Sequence, residues 1–149
     1  MKNYKTKQIR NKKFMEFVAN QNCSLYSHSS YPCSGGVQAH HLLKPWQGYR
    51  GMGLRAGDNN CLPLCQRHHA HLHDKHGNED TFWTLFKLPE DYGRIISKSL
   101  WNIFTLEGKM EEKLLKFKEL ITEIDISKYR QEEYIIVVNS IYKTIFEDN

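Results

Sequence analysis

The segment Val37–His73, VQAHHLLKPWQGYRGMGLRAGDNNCLPLCQRHHAHLH, holds six of the chain's eight histidines and two of its four cysteines. His76 follows three residues later. An apolar core has no use for so much imidazole, because each buried ring nitrogen costs free energy until it is paired. Such crowding restricts the segment to an interior organised by a metal ion, by acid–base chemistry, or by both.

The remainder of the chain bounds what can surround that segment. Its 149 residues suit one domain with room for an appendage. A hydrophobic fraction of 40% with 12% aromatics supplies a real core and argues against global disorder. No run approaches the ~18 apolar residues that span a bilayer. The N-terminal MKNYKTKQIRNKK has charge but no apolar stretch behind it, so it does not read as a secretory signal. A cytoplasmic protein is expected, in which four cysteines are metal ligands or buried thiols sooner than disulfides.

Charge is unevenly spread. Residues 1–106 carry fourteen Lys/Arg against seven Asp/Glu, a net of +7, whereas residues 107–149 carry seven against ten, a net of −3. Residues 1–13 hold six positive charges and no negative one. They read as a basic arm suited to a phosphate backbone, although a solvated terminus has the same composition.

Along the chain, Phe14, Phe17 and Val18 have helical spacing and predict a short helix leading to Cys23. CSLYSHSSYPCSGG reads as a loop between Cys23 and Cys33. VQAHHLL suits a strand ended by Lys44-Pro45, and the glycine-rich connection after it allows a short strand around Met52–Leu54. Asp58-Asn59-Asn60 are good caps for a helix expected from near Pro63 to about Lys75, with Gly77 as its stop. Asn78 caps a helix with Phe82, Trp83 and Phe86 on its buried face, and another is expected to open with Pro89 near its start. The last third reads as two more helices joined near Ser127, with an apolar stripe at Met110, Leu114, Phe117, Ile121 and Ile124. YIIVV is β-branched enough for a strand, but helix is the preferred reading.

The strongest metal-ligand spacing is Cys65-Gln-Arg-His68, in which one turn aims two side chains at a single ion. Cys23 and Cys33 complete a Cys3His set for a structural zinc ion. Their spacing is C-x9-C rather than the common C-x2-C, so a broad loop must fold back to close the site. His28 within that loop, or Cys61, are alternative ligands. His40 and His41 are adjacent and would point to opposite faces of a strand unless it ends there. His69 and His73 share one helix face, which is also what an exposed polar face looks like.

Several histidine chemistries are excluded by what is missing. A zincin needs Glu directly after the first helical His, where HAHLH has Ala70. A zinc deaminase needs H-x-E with a later P-C-x-x-C, and neither HHL nor PLCQRH provides it. No P-loop, G-x-S-x-G or dinucleotide fingerprint occurs.

The order is a strand with His-His, a glycine-rich turn, Asn, Leu-Cys-x-x-His-His, then a helix with a further His. In CSGGVQAHHLLKP, RGMGLRAGDNN, LPLCQRHHAHLH and GNEDTFW the chain resembles the HNH nucleases. It is most similar to the phage-encoded recombination-enhancement (Ref-type) branch and its prophage relatives. The resemblance covers roughly residues 10–86. It implies an α+β fold with a small zinc-stabilised ββα-metal core over 14–86. The basic arm precedes that core, and residues 87–149, which have no counterpart in the resemblance, read from their own spacing as a helical extension.

The resemblance implies His41 as the general base and Asn60 as the residue that orients it through its amide oxygen. It implies His40 and His69 as ligands of a catalytic divalent ion, Mg2+ or Mn2+, with His73 as a further ligand or phosphate contact. It argues against Cys61 as a zinc ligand. Arg50, Arg55, Arg67 and Lys44 lie near in sequence and are candidate phosphate contacts, though ordinary surface charge explains any one of them as well. The expected function is metal-dependent hydrolysis of DNA with low sequence specificity, in phage or prophage recombination or repair, with a recombinase filament as a possible partner. The alternative is a zinc-stabilised nucleic-acid-binding module that does not cut.

Overall fold

The computed structural model describes residues 7–28, 31–51 and 53–147, the side chains of Lys75 and His76 excepted. The fold is α+β and mostly helical. The elements are α1 (Lys12–Ala19), β1 (Val37–His41), a 3-10 turn (Asp58–Asn60), β2 (Cys61–Cys65), α2 (Gln66–His71), one π-helical turn (Leu72–His76), α3 (Glu79–Leu85), α4 (Tyr92–Thr122), a second 3-10 turn (Ile126–Lys128) and α5 (Gln131–Phe146). No helix among the described residues is long and apolar enough to cross a membrane.

The strands pair antiparallel with Val37 opposite Cys65, Ala39 opposite Pro63 and His41 opposite Cys61. Here the expected helix from Pro63 is corrected, because Cys61–Cys65 is a strand and α2 begins only at Gln66. All five residues of β2 are buried. The bonds Leu42 N–H to Asn60 O and Gln66 N–H to Gly36 O put the backbone-bonded pairs at even-numbered β1 residues. Pro63 therefore lies opposite Ala39 at a non-bonded pair, where its missing N–H is not needed. On its outer edge the Pro63 carbonyl accepts from both the N–H and the hydroxyl of Ser24.

Two apolar layers enclose the sheet. One contains Leu25, Leu42, Leu62, Leu64, Leu72, Phe82 and Trp83, all at most 1% exposed. The other contains Phe14, Val18 and Cys61, with Ala39, Leu100, Trp101 and Phe104 against them. Asn11 caps α1 by accepting from Phe14 N–H. The Phe14 ring lies edge-on to Trp101, centroids 4.9 Å apart. Gly77 ends the π-helical turn in the left-handed region, φ 60°, and donates to Leu72 O.

Other expectations shift. The basic arm was bounded at residue 13, but α1 already begins at Lys12, and residues 1–6 lie outside the described residues. Met52, part of the suggested short strand, also lies outside them, and Gly53 and Leu54 are not in a strand. Pro89 belongs to a turn whose carbonyl accepts from Tyr92 N–H, ahead of α4. The helix expected there and the first of the two C-terminal helices are one element, α4. YIIVV is helical, within α5.

The chain divides into two compact units at Phe104/Thr105, so the boundary expected after residue 86 falls inside the first unit. In the second unit, Phe117 of α4 packs edge-on to Tyr142 and Phe146 of α5. Of the expected stripe, Met110 and Leu114 are exposed.

Candidate metal centres

Cys65 ends β2 and caps α2, its sulfur facing the His68 N–H. One helical turn carries the His68 ring back over that sulfur. Cys23 is held beside β2 because Ser24 is pinned to the Pro63 carbonyl, while the Tyr92 hydroxyl donates to Ser24 O. Cys33 arrives from the far end of the loop. The four side chains converge, with His68 Nδ1 3.1 Å from Cys65 Sγ, 3.5 Å from Cys23 Sγ and 3.6 Å from Cys33 Sγ. A nitrogen and a sulfur sharing one tetrahedral ion, at bond lengths of about 2.0 and 2.3 Å, lie about 3.5 Å apart. His68 Nε2 meets the Tyr31 carbonyl at 2.9 Å, which accepts its proton and leaves Nδ1 for the sulfurs.

The thiols do not ionise freely as a group. Burial raises Cys23, and burial with the neighbouring Cys23 pushes Cys33 up to about 12. For Cys65 burial acts upward too, but hydrogen bonds from the His68 and Ser34 N–H groups, with those of the other thiols, hold it below the usual thiol value. A cation among three sulfurs removes the obstacle, since it favours the thiolate at each. Cys23, Cys33, Cys65 and His68 could thus bind a structural metal ion. His28 packs against Tyr92 instead, and Cys61 lies in the opposite layer beside Phe14.

A second group joins His40, His69 and His73, whose ligand-capable atoms lie within 4.8 Å of one another. His69 is on α2 and His73 on the π-helical turn, their ring centroids 4.4 Å apart. His40 faces both from β1, at 5.1 and 5.3 Å. Burial, then the nearby His40 and His73, lowers His69 to about 4. Burial and then His40 lower His73 as well. Rings kept neutral in this way have lone pairs available to a metal.

His41 faces the other side of β1, yet because the strand ends there it opens onto the same cleft. That cleft has a volume of about 210 Å³ and is lined by His40, His41, His69, His73, Arg50 and Arg55 among others. The residue holding His41 is not the expected Asn60. His41 Nε2 lies 2.8 Å from Asp58 Oδ1. Asp58 in turn accepts from Arg10 Nη1 and, through Oδ2, from Asn11 N–H. Burial opposes ionisation of Asp58, but the hydrogen bonds from His41 and Asn11 and the charges of His41 and Arg10 keep its pKa below the usual value. For His41 burial outweighs the opposing pull of Asp58, so its pKa falls.

Asn60 points inward from the same 3-10 turn. Its Oδ1 accepts from the N–H groups of Trp46 and Gln47, and its Nδ2 donates to Gln47 O. It fixes the loop after β1 and makes no hydrogen bond to His41. Among the candidate phosphate contacts, Arg50 and Arg55 line the cleft. Lys44 pairs with Asp80, and Arg67 lies over the Tyr31 ring. Sequence reasoning missed Asp58 and also Glu79, whose Oε1 is 2.8 Å from His40 Nε2. In the sequence Asp58 reads only as a helix cap, and nothing local sets Glu79 apart from any other acid in the first turn of a helix.

No curated protein and no solved structure matches the chain. A family model described as protein of unknown function DUF968 matches residues 1–88, a span that contains every residue of both metal-ligand groups. That span is more than half of the 149 residues, and the chain belongs to the DUF968 family.

Proposed function

We propose that the protein is a metal-dependent endonuclease of the HNH type, hydrolysing DNA phosphodiester bonds with loose sequence preference. β1, β2 and α2 would form its ββα-metal core. The observation that carries the reading is the meeting of His41 with the His40/His69/His73 group around one cleft that also bears Arg50 and Arg55.

Each residue has a separate task. His41, its Nε2–H directed at Asp58, keeps Nδ1 free to take a proton from water. The lowered pKa leaves that nitrogen unprotonated at neutral pH. The deprotonated water attacks phosphorus, the bond to the 3′ oxygen breaks, and that oxygen leaves with the electron pair. Arg50 and Arg55 hold the phosphate and its neighbours in place. Bound by His40, His69 and His73, a divalent ion, Mg2+ or Mn2+, would supply Lewis acidity at the phosphate oxygens. The Cys23/Cys33/Cys65/His68 group would hold structural zinc and keep the end of β2 and the start of α2 together with the Cys23–Cys33 loop.

The test is supercoiled plasmid incubated with wild-type protein or His41→Ala, in Mg2+, Mn2+ or excess EDTA. Nicking that requires metal and is lost in His41→Ala, with folding and DNA binding retained, is the expected outcome. Cutting by His41→Ala at the wild-type rate would remove His41 as the base. DNA binding by both proteins with no cutting under any metal would favour a zinc-stabilised binding module instead.

A further inference from the structure

We infer that Glu79 is a positioning residue for the His40/His69/His73 group, setting which nitrogen of His40 a metal can use. The inference rests on the proposed metal site and adds a residue to it. Glu79 opens α3 and is 2% exposed. Oε1 accepts from His40 Nε2 at 2.8 Å and from Leu43 N–H at 2.6 Å, and Oε2 accepts from Lys44 N–H at 3.2 Å. Among the described residues His40 is the basic side chain beside Glu79, since the Lys44 ammonium goes to Asp80.

These contacts make Glu79 an acceptor on both oxygens. The two backbone N–H groups belong to the loop that follows β1, so the carboxylate is fixed to the same strand end that carries His40. A carboxylate in this role needs the imidazole proton on Nε2. The lone pair is then on Nδ1, the nitrogen left for a metal shared with His69 and His73. Were the proton on Nδ1, the lone pair would lie on Nε2, against the Glu79 carboxylate and not available to the ion. The arrangement is the carboxylate–histidine–metal relay, in which the outer carboxylate fixes the tautomer and raises ligand basicity. Distance along the chain hides it, because Glu79 lies 39 residues beyond His40.

The experiment is a Mn2+ titration followed by electron paramagnetic resonance, on the full zinc-loaded chain, comparing wild type, Glu79→Gln and His69→Ala. Mn2+ prefers nitrogen and oxygen donors, so the thiol-rich group does not compete for it. Glu79→Gln keeps the shape but places an amide where two backbone donors and the ring proton need acceptors. It is expected to weaken Mn2+ binding about 10–100-fold, with zinc content unchanged. His69→Ala should lose the site.

Equal Mn2+ affinity of Glu79→Gln and wild type, beside loss in His69→Ala, would overturn the assignment while leaving the proposed nuclease site standing. Equal affinity in all three proteins would overturn both. If Glu79→Gln does not fold, long-range 1H–15N correlation spectra of the wild-type chain decide the matter. A ring proton on Nε2 of His40 supports the assignment, and one on Nδ1 overturns it.

Discussion

His40 and His41 are neighbours in sequence with separate environments. The first has its Nε2 on a buried glutamate from α3, the second has its Nε2 on an aspartate from the 3-10 turn before β2. Each ring is thereby left with Nδ1 for other work, and alternation along β1 keeps the two carboxylates on different faces. Across the cleft His69 is lowered to about 4 by burial and then by His40 and His73. In the metal-free chain this has a definite sign. An unfolded histidine titrates near 6.5, so between about pH 6.5 and 4 the unfolded state binds a proton that the folded state refuses. Stability is therefore expected to fall as pH drops through that window and to level off above it. His41, His68 and His73 are lowered and act in the same direction. Thermal melting of chelator-treated protein at pH 7.5, 6 and 5 checks this, and His69→Gln should flatten the profile. A melting temperature constant over the range would contradict the burial assigned to these rings.

Among the elements, β2 shows best how tertiary context decides a short segment. Cys-Leu-Pro-Leu-Cys follows three cap-like residues and resembles the start of a helix, yet pairing with β1 and burial on both faces make it a strand. The start of α4 is decided by close packing. A Cβ at Gly93 would lie 2.9 Å from the Trp83 ring, which is itself 1% exposed. Gly93→Ala is expected to destabilise the fold by about 1–3 kcal/mol through overpacking, despite the better helix propensity of alanine. Urea unfolding followed by tryptophan fluorescence measures it; an unchanged midpoint would mean that the ring moves aside without cost. Further on, Gly108 lies inside α4 with nothing within 4 Å of where a Cβ would stand, and the helix runs through it.

For the whole molecule, the two units have different sources of stability. The first encloses its sheet between two apolar layers, and its Cys23–Cys33 loop is tied to Cys65 and His68 at the candidate metal site. Free energy of metal binding at such a site is also free energy of folding. Cys65→Ser is accordingly expected to lose bound zinc and to lower the melting temperature of the full chain by many degrees, and strong chelators should do the same to wild type. Unchanged melting together with unchanged zinc content would refute a structural role for the four residues. The second unit rests on contacts such as Phe117 with Tyr142 and Phe146, and none of its described residues belongs to either group. Its expected apolar stripe is only partly used, as the exposure of Met110 and Leu114 shows.

Local spacing alone was enough for several of these features. Cys65-x2-His68 places two candidate ligands on one turn, His69 and His73 share a helix face, Asn78 caps a helix, and Gly77 supplies the left-handed stop. Each of these depends on residues within a few positions of one another, so the chemistry of the segment suffices; the cap at Asn11, by contrast, was found only in the structure. The partners of His40 and His41 were settled only by the tertiary structure. Asp58, rather than Asn60, meets His41 because the 3-10 turn aims the aspartate outward at the strand end and the asparagine inward at Trp46 and Gln47. Glu79 meets His40 because the start of α3 lies against the end of β1 and the loop after it. A first-turn acid looks the same in sequence whether it faces solvent or a buried imidazole, since packing of distant segments determines which one it meets.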